Sequence, residues 1–142
     1  MKLKMVVEDG VKVPSYAHIH DAGMDLAVKE EVNLYPYNTY MVGTGVRVSI
    51  PEGYFGMVVM RSGFASKNNV VLANGSGIID AGYVGEIKLP LYVDCKKIVH
   101  IPKGERVAQL IIFEIPQIEI EVVDELDDTD RGDGGFGSSG RQ

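Results

Sequence analysis

The chain has one cysteine, no tryptophan and no long apolar run, and each of these shortages excludes something. Cys95 alone cannot close an internal disulfide, which agrees with a reducing compartment. No apolar stretch approaches the roughly 20 residues that a membrane-spanning helix needs. The opening residues Met1 to Val7 carry a single short apolar patch and lack a small-residue cleavage site. They do not read as a secretory signal, and a cytoplasmic location is expected. Positive charge is also scarce. Lys and Arg number 14 against 20 Asp and Glu, for a net charge of −6, which argues against a protein that wraps nucleic acid by bulk electrostatics. One phosphate-bearing small ligand remains compatible, provided positive charge is gathered locally. A convincing helical period over three turns is missing too. At most, Phe64 to Asn68 makes a short helix after a glycine.

What the chain does have is period-two alternation, the mark of half-buried strands. Val46, Val48 and Ile50 alternate with Arg47 and Ser49, and Pro51-Glu52-Gly53 supplies a turn. Ile87, Leu89, Leu91 and Val93 alternate with Lys88, Pro90 and Tyr92. Ile118, Ile120 and Val122 alternate with Glu119 and Glu121. Glycine and proline punctuate these runs at short intervals, as in sandwiches and barrels. With 45% hydrophobic and 24% charged residues in a length of 142, the expected class is a single all-β domain with a real core. Two runs break the alternation. Met57-Val58-Val59-Met60 and Leu110-Ile111-Ile112-Phe113 are apolar at every position, so both faces of those strands want burial. A second packed sheet satisfies this, and so does an oligomer whose outer face meets another subunit.

The last segment, 127–142, differs in kind. It holds five glycines and a single aromatic, Phe136, a composition that cannot bury enough surface to order itself. A frayed tail fits it, and so does a flap that closes over a ligand. The acidic run from Asp124 to Asp133, around a lone Arg131, reads as a solvated linker rather than a metal site. His18 and His20 read as exposed alternating residues of a strand rather than as metal ligands.

Several segments carry chemistry. Ala22-Gly23-Met24-Asp25-Leu26 sets a carboxylate beside a glycine, and Arg61-Ser62-Gly63 follows an apolar strand directly. The latter offers a guanidinium, a hydroxyl and accessible backbone N–H groups, a good phosphate cradle. Gly77-Ile78-Ile79-Asp80-Ala81-Gly82-Tyr83-Val84-Gly85-Glu86 places an Asp and a Tyr across a glycine-rich turn, and Arg106-Val107-Ala108-Gln109-Leu110 sets an Arg and a Gln on an apolar strand. Singly these are weak signals, since an Asp beside a glycine is usually a turn former. In this order, with the glycine-rich tail, they resemble the five motifs of the homotrimeric dUTPase family, over nearly the whole chain from Ala22 to Gly140.

The resemblance implies a distorted jelly-roll-like β-barrel over 1–126 and a flexible tail over 127–142 that closes the active site. It implies a Mg²⁺-assisted hydrolysis of dUTP to dUMP and pyrophosphate, which limits uracil incorporation into DNA and supplies dUMP for dTMP synthesis. Asp80 corresponds to the carboxylate that activates the attacking water, with Gln109 and Arg131 completing the catalytic set. Tyr83 corresponds to the ring under the deoxyribose, where a 2′-hydroxyl would clash. Asn74 with Gly77, Ile78 and Ile79 resembles the hairpin that pairs with the uracil edge. Arg61, Ser62, Gly63 and Gln109 resemble ligands of the phosphate chain. In the tail, Arg131 and Ser138 resemble ligands of the terminal phosphate, Phe136 the ring stacked over uracil, and Gly137 part of the same loop. Asp25 resembles a residue that supports the hydrated metal through water. Lys88 falls where the backbone of a variable residue touches the ligand. Gly82 stands where the family is often acidic, and Ser139 where it often has Thr. Neither change removes a group the chemistry needs. A dCTP deaminase-like relative shares the fold, but Gly63 and the complete tail favour dUTPase. A nucleotide-dependent regulatory module that has lost turnover fits poorly with Asp80, Gln109, Arg131 and Phe136 all retained.

Overall fold

A computed structural model describes residues 2–130 and 132. The tail positions Arg131, Phe136, Gly137 and Ser138 lie outside the described residues. Ten strands and one short helix follow one another as β1 (Lys4–Val7), β2 (Met24–Ala27), β3 (Val32–Leu34), β4 (Thr39–Ser49), β5 (Tyr54–Met60), α1 (Ser62–Asn68), β6 (Val70–Leu72), β7 (Gly77–Ile79), β8 (Glu86–Val93), β9 (Val99–Ile101) and β10 (Arg106–Glu114). They form two four-stranded sheets, ordered β1-β4-β8-β6 and β2-β10-β5-β7, and a two-stranded ribbon β3-β9. All pairings are antiparallel. The result is the all-β class expected from the alternation, with the jelly-roll-like arrangement that the resemblance implies. No helix among the described residues is long and apolar enough to cross a membrane.

The core follows directly from period two. Ile87, Leu89, Leu91 and Val93 of β8 are fully buried, as are Val46 and Val48 of β4, while Lys88 between them points out to solvent. From the other sheet, Leu26, Val58 and Leu110 enter the same core. Gly56 is required there. A Cβ at that position would come within 2.8 Å of Ile50 Cδ1 and 2.9 Å of Leu110 Cδ1.

The uniformly apolar runs are explained on one face only. Val58 and Leu110 turn inward, with Met60 and Ile112 packed against the core. Their neighbours Met57, Val59 and Ile111 remain half-exposed on the opposite face, and Phe113 is exposed. Phe55 and Phe113 stack there with ring centroids 5.3 Å apart. The second sheet therefore covers one side of β5 and β10, and leaves an apolar outer side.

Two expectations are corrected. The alternation at Ile118 to Val122 does not form a strand; among the described residues β10, ending at Glu114, is the last regular element. A strand's backbone groups need a neighbouring strand to satisfy them, and this segment pairs with none among the described residues. His18 and His20 are exposed, but in a turn rather than a strand. There the His18 N–H donates to Asp21 Oδ2 at 2.8 Å and the Asp21 N–H to His18 O at 3.1 Å.

A bulge shapes the sheet next to the site. The register of β4 on β8 shifts between Gly43 and Arg47, where Gly45 takes a left-handed φ of 68°. The fully buried Thr44 hydroxyl donates to Ile87 O at 2.7 Å and accepts from the Val46 N–H at 3.3 Å. It replaces ladder bonds that the bulge interrupts. Thr44→Val should therefore strand buried backbone groups and cost about 1–3 kcal/mol, read as a lower urea midpoint with an unchanged slope.

Candidate active site

Strand β10 assembles the first half of the site, because it pairs with β2 on one edge and β5 on the other. Gln109 thus stands opposite Asp25 and also opposite Val59. Strict alternation would put Arg106 on the other face from Gln109. The register shift between Arg106 and Ala108 inserts one residue, so that Val107 and Ala108 are both buried and Arg106 comes round to the side of Asp25. Asp25 then accepts from two guanidinium groups, Arg61 Nε at 2.9 Å on Oδ1 and Arg106 Nη1 at 2.8 Å on Oδ2. The Arg61 side chain also donates to Arg106 O at 3.3 Å, and its N–H to Val107 O at 2.9 Å. Arg61 is held on several sides before any ligand arrives. Gly23 permits Gln109 to lie against the backbone, since a Cβ there would meet Gln109 Oε1 at 3.0 Å.

Ser62 and Gly63 begin α1 directly after Arg61 and are exposed. Together with Asp25, Arg61 and Gln109 they line an open cleft of about 650 Å³, with His18, Lys67 and His100 at its margins. Arg61 and Lys67 bring positive charge to a lining that also holds Asp21, Asp25 and Glu105. The Arg61 guanidinium, with the Ser62 hydroxyl beside it, offers the kind of donors that hold a phosphate oxygen.

The second half lies elsewhere. The segment from Asn74 through β7, with the loop that crosses to β8 in the other sheet, presents Asn74, Gly77, Ile78, Ile79, Asp80, Tyr83 and Lys88 in a separate cleft of about 440 Å³, with Met41 and Pro90 as part of its wall. Asp80 is exposed, and its carbonyl accepts from the Tyr83 N–H at 3.0 Å in a tight turn. The Tyr83 hydroxyl donates to Glu86 O at 2.9 Å. The ring lies on Gly85, where a Cβ would come within 2.5 Å of Tyr83 Oη.

The structure thus brings Asp25, Arg61, Ser62, Gly63 and Gln109 together, and separately brings Asn74, Asp80, Tyr83 and Lys88 together. It does not place the two groups in one cleft of one chain. Sequence reasoning missed Arg106 as a partner of Asp25, because only the bulge brings it to that face. It also gave no part to Lys29. This residue meets Glu86 at 3.0 Å and Glu8 at 3.3 Å, and Glu86 Oε1 accepts from the Gly45 N–H at 2.8 Å.

Among the described residues no three His, Cys, Asp or Glu side chains converge as a metal cage. The donor set fits a cation carried in on phosphates rather than one held by the protein. Asp25 has both oxygens on arginines, yet a carboxylate offers about four acceptor sites, enough to take a metal-bound water as well.

An all-β fold with a guanidinium and a hydroxyl in one cleft and a carboxylate loop in another suits a phosphate-handling nucleotide protein, and similarity to known proteins narrows the class. The dUTPase family model matches residues 9–140. The chain is 44% identical over 129 residues to the deoxyuridine 5'-triphosphate nucleotidohydrolase of Cutibacterium acnes, covering 90% of this chain and 85% of that one. It is 41% identical over 141 residues to the enzyme of the same name from Clostridium tetani, covering 99% and 97%. Among solved structures, the dUTPase of Staphylococcus bacteriophage 80alpha with dUPNHPP superposes with a TM-score of 0.90 at 33% identity, over 99% of each chain. The chain belongs to the dUTPase family.

The Glu86 network has a pH signature. Burial pushes the Glu86 carboxyl up, but the Gly45 N–H and the Lys29 amine more than offset it and hold it below the usual range. The Lys29 amine is held above its usual range, first by its hydrogen bond to Glu86 and, against some desolvation, also by Glu8. The depressed carboxyl contributes stability that is present above about pH 4.3, the unperturbed value, and lost as pH falls through its lower folded value. The raised amine contributes stability present below its unfolded value and lost as pH rises through the folded one. Denaturation of Glu86→Gln followed from pH 6 down to about 3 should show a shallower acid-side loss than the unsubstituted protein.

Proposed function

We propose that the protein hydrolyses dUTP to dUMP and pyrophosphate, and that its site is completed only where copies of the chain meet. The observation that carries this is the division of the site. The phosphate cradle of Arg61, Ser62, Gly63 and Gln109 and the loop of Asp80 and Tyr83 occupy different clefts of one chain. Water attacks the α-phosphorus in line, the bond to the bridging oxygen of the β-phosphate breaks, and pyrophosphate leaves. Asp80 accepts the proton of the attacking water. Arg61, oriented by Asp25, and Gln109 receive the charge that develops on the phosphate chain.

Tyr83 lies under the deoxyribose and leaves no room for a 2′-hydroxyl, while Asn74 and the backbone of Gly77 to Ile79 read the uracil edge. Mg²⁺ carried on the triphosphate, an ion that keeps several waters, would supply neutralising charge, and Asp25 would hold it through water. Arg131, Phe136, Gly137 and Ser138 close over the bound nucleotide as the tail. The product dUMP is available for dTMP synthesis, and removal of dUTP limits uracil incorporation into DNA.

Asp80→Asn should bind a non-hydrolysable dUTP analogue within an order of magnitude of the unsubstituted protein while turnover falls by roughly 10²–10⁴-fold. Pyrophosphate release measured with dUTP, dCTP, dTTP and UTP gives the test. Near-normal turnover in the variant would remove Asp80 from this role, and preference for dCTP would identify a different enzyme.

Assembly as a homotrimer is supported by the apolar outer side of β5 and β10 and by the exposed Ile118, Ile120 and Val122, at 77%, 86% and 92% exposure. Such surface calls for a partner. Light scattering at micromolar concentration is expected to give three times the 15.5 kDa chain mass. An active monomer would contradict it.

A further inference from the structure

We propose that Lys29, acting through Glu86, is a positioning residue for the Tyr83 ring and so helps to set the selection of deoxyribose over ribose. This rests on the reading of Tyr83 as the residue that packs under the sugar. Tyr83 is 45% exposed, so few contacts fix its ring. Two of them run to the start of β8, the hydroxyl bond to Glu86 O at 2.9 Å and the seat on Gly85. The height of the ring therefore depends on where the Glu86 peptide sits.

That peptide is fixed by its own side chain. Glu86 Oε1 accepts from the Gly45 N–H at 2.8 Å and from Lys29 Nζ at 3.0 Å. The pocket that receives the carboxylate exists because residue 43 is glycine, where a Cβ would meet Glu86 Oε1 at 2.6 Å and Lys29 Cε at 2.8 Å. Lys29 is in turn tied to the bulge by its N–H, which donates to Gly43 O at 3.0 Å. The contacts run in one line from the Lys29 amine to the Glu86 carboxylate, through the Glu86 peptide, to the Tyr83 hydroxyl. Lys29 does not line the cleft of Asp80 and Tyr83, so its effect on substrate is indirect.

The test is a double-mutant cycle on the ratio of kcat/KM for dUTP to kcat/KM for UTP. Lys29→Gln should lower that ratio by about 3- to 10-fold, and Lys29→Arg should restore most of it. In a Tyr83→Phe background, which already lacks the hydroxyl, Lys29→Gln should lower the ratio no further. An equal loss in both backgrounds, or an unchanged ratio with only reduced stability, overturns the proposal. Should Lys29→Gln fail to fold, Glu86→Gln takes its place in the same cycle. Tyr83→Ala separates the two levels. If it still rejects UTP, the sugar reading fails and the inference falls with it. If it admits UTP while Lys29→Gln does not, the inference fails alone.

Discussion

The pairing of β10 along both of its edges is the constraint on which the rest of the site depends. Because β2 and β5 flank the same strand, one register sets Asp25, Gln109 and Val59 in a row across the sheet. Arg61 leaves the end of β5 at the same level and meets Asp25 there. A slip of one residue would turn Gln109 into the core and Leu110 out of it. The buried Leu26, Val58 and Leu110 prevent that slip. Packing of the core is therefore what aims the polar face.

The Asp25 ion pairs serve orientation more than stability. Arg61 and Arg106 are partly exposed, at 33% and 46% for their side chains, and pairs of that kind contribute little to folding. Their value lies in holding two guanidinium groups in place around one carboxylate, with Arg61 lining the cleft. Preorganised donors of this sort need no rearrangement when charge develops on a phosphate chain.

Glycine has two distinct uses near the site. At Gly45 the left-handed backbone closes the bulge. At Gly23, Gly43 and Gly85 the missing Cβ lets Gln109, Glu86 and Tyr83 lie directly on the main chain. The second use couples segments distant in sequence, since the bend after β2 meets β4 and β8 at the Lys29–Glu86 contact.

The alternation in Val46 to Ile50 and in Ile87 to Val93 by itself determined two central strands and which side of each faces the core, because side chains in a strand alternate whatever the strand pairs with. The order of the short motifs likewise pointed to the family. Three matters were decided only by tertiary structure. Arg106 joins Asp25 because a bulge shifts the phase of β10, and a bulge is a property of two paired strands. The segment from Ile118 to Val122 alternates as well as any strand, yet pairs with no strand among the described residues. The cradle and the Asp80 loop, both legible as motifs, fall in separate clefts because β7 runs antiparallel to β5 and ends beside Gly56, whereas Arg61 follows the opposite end of β5. Local period fixes the face of a residue, whereas partners, phase and distance come from contacts between segments far apart in the chain.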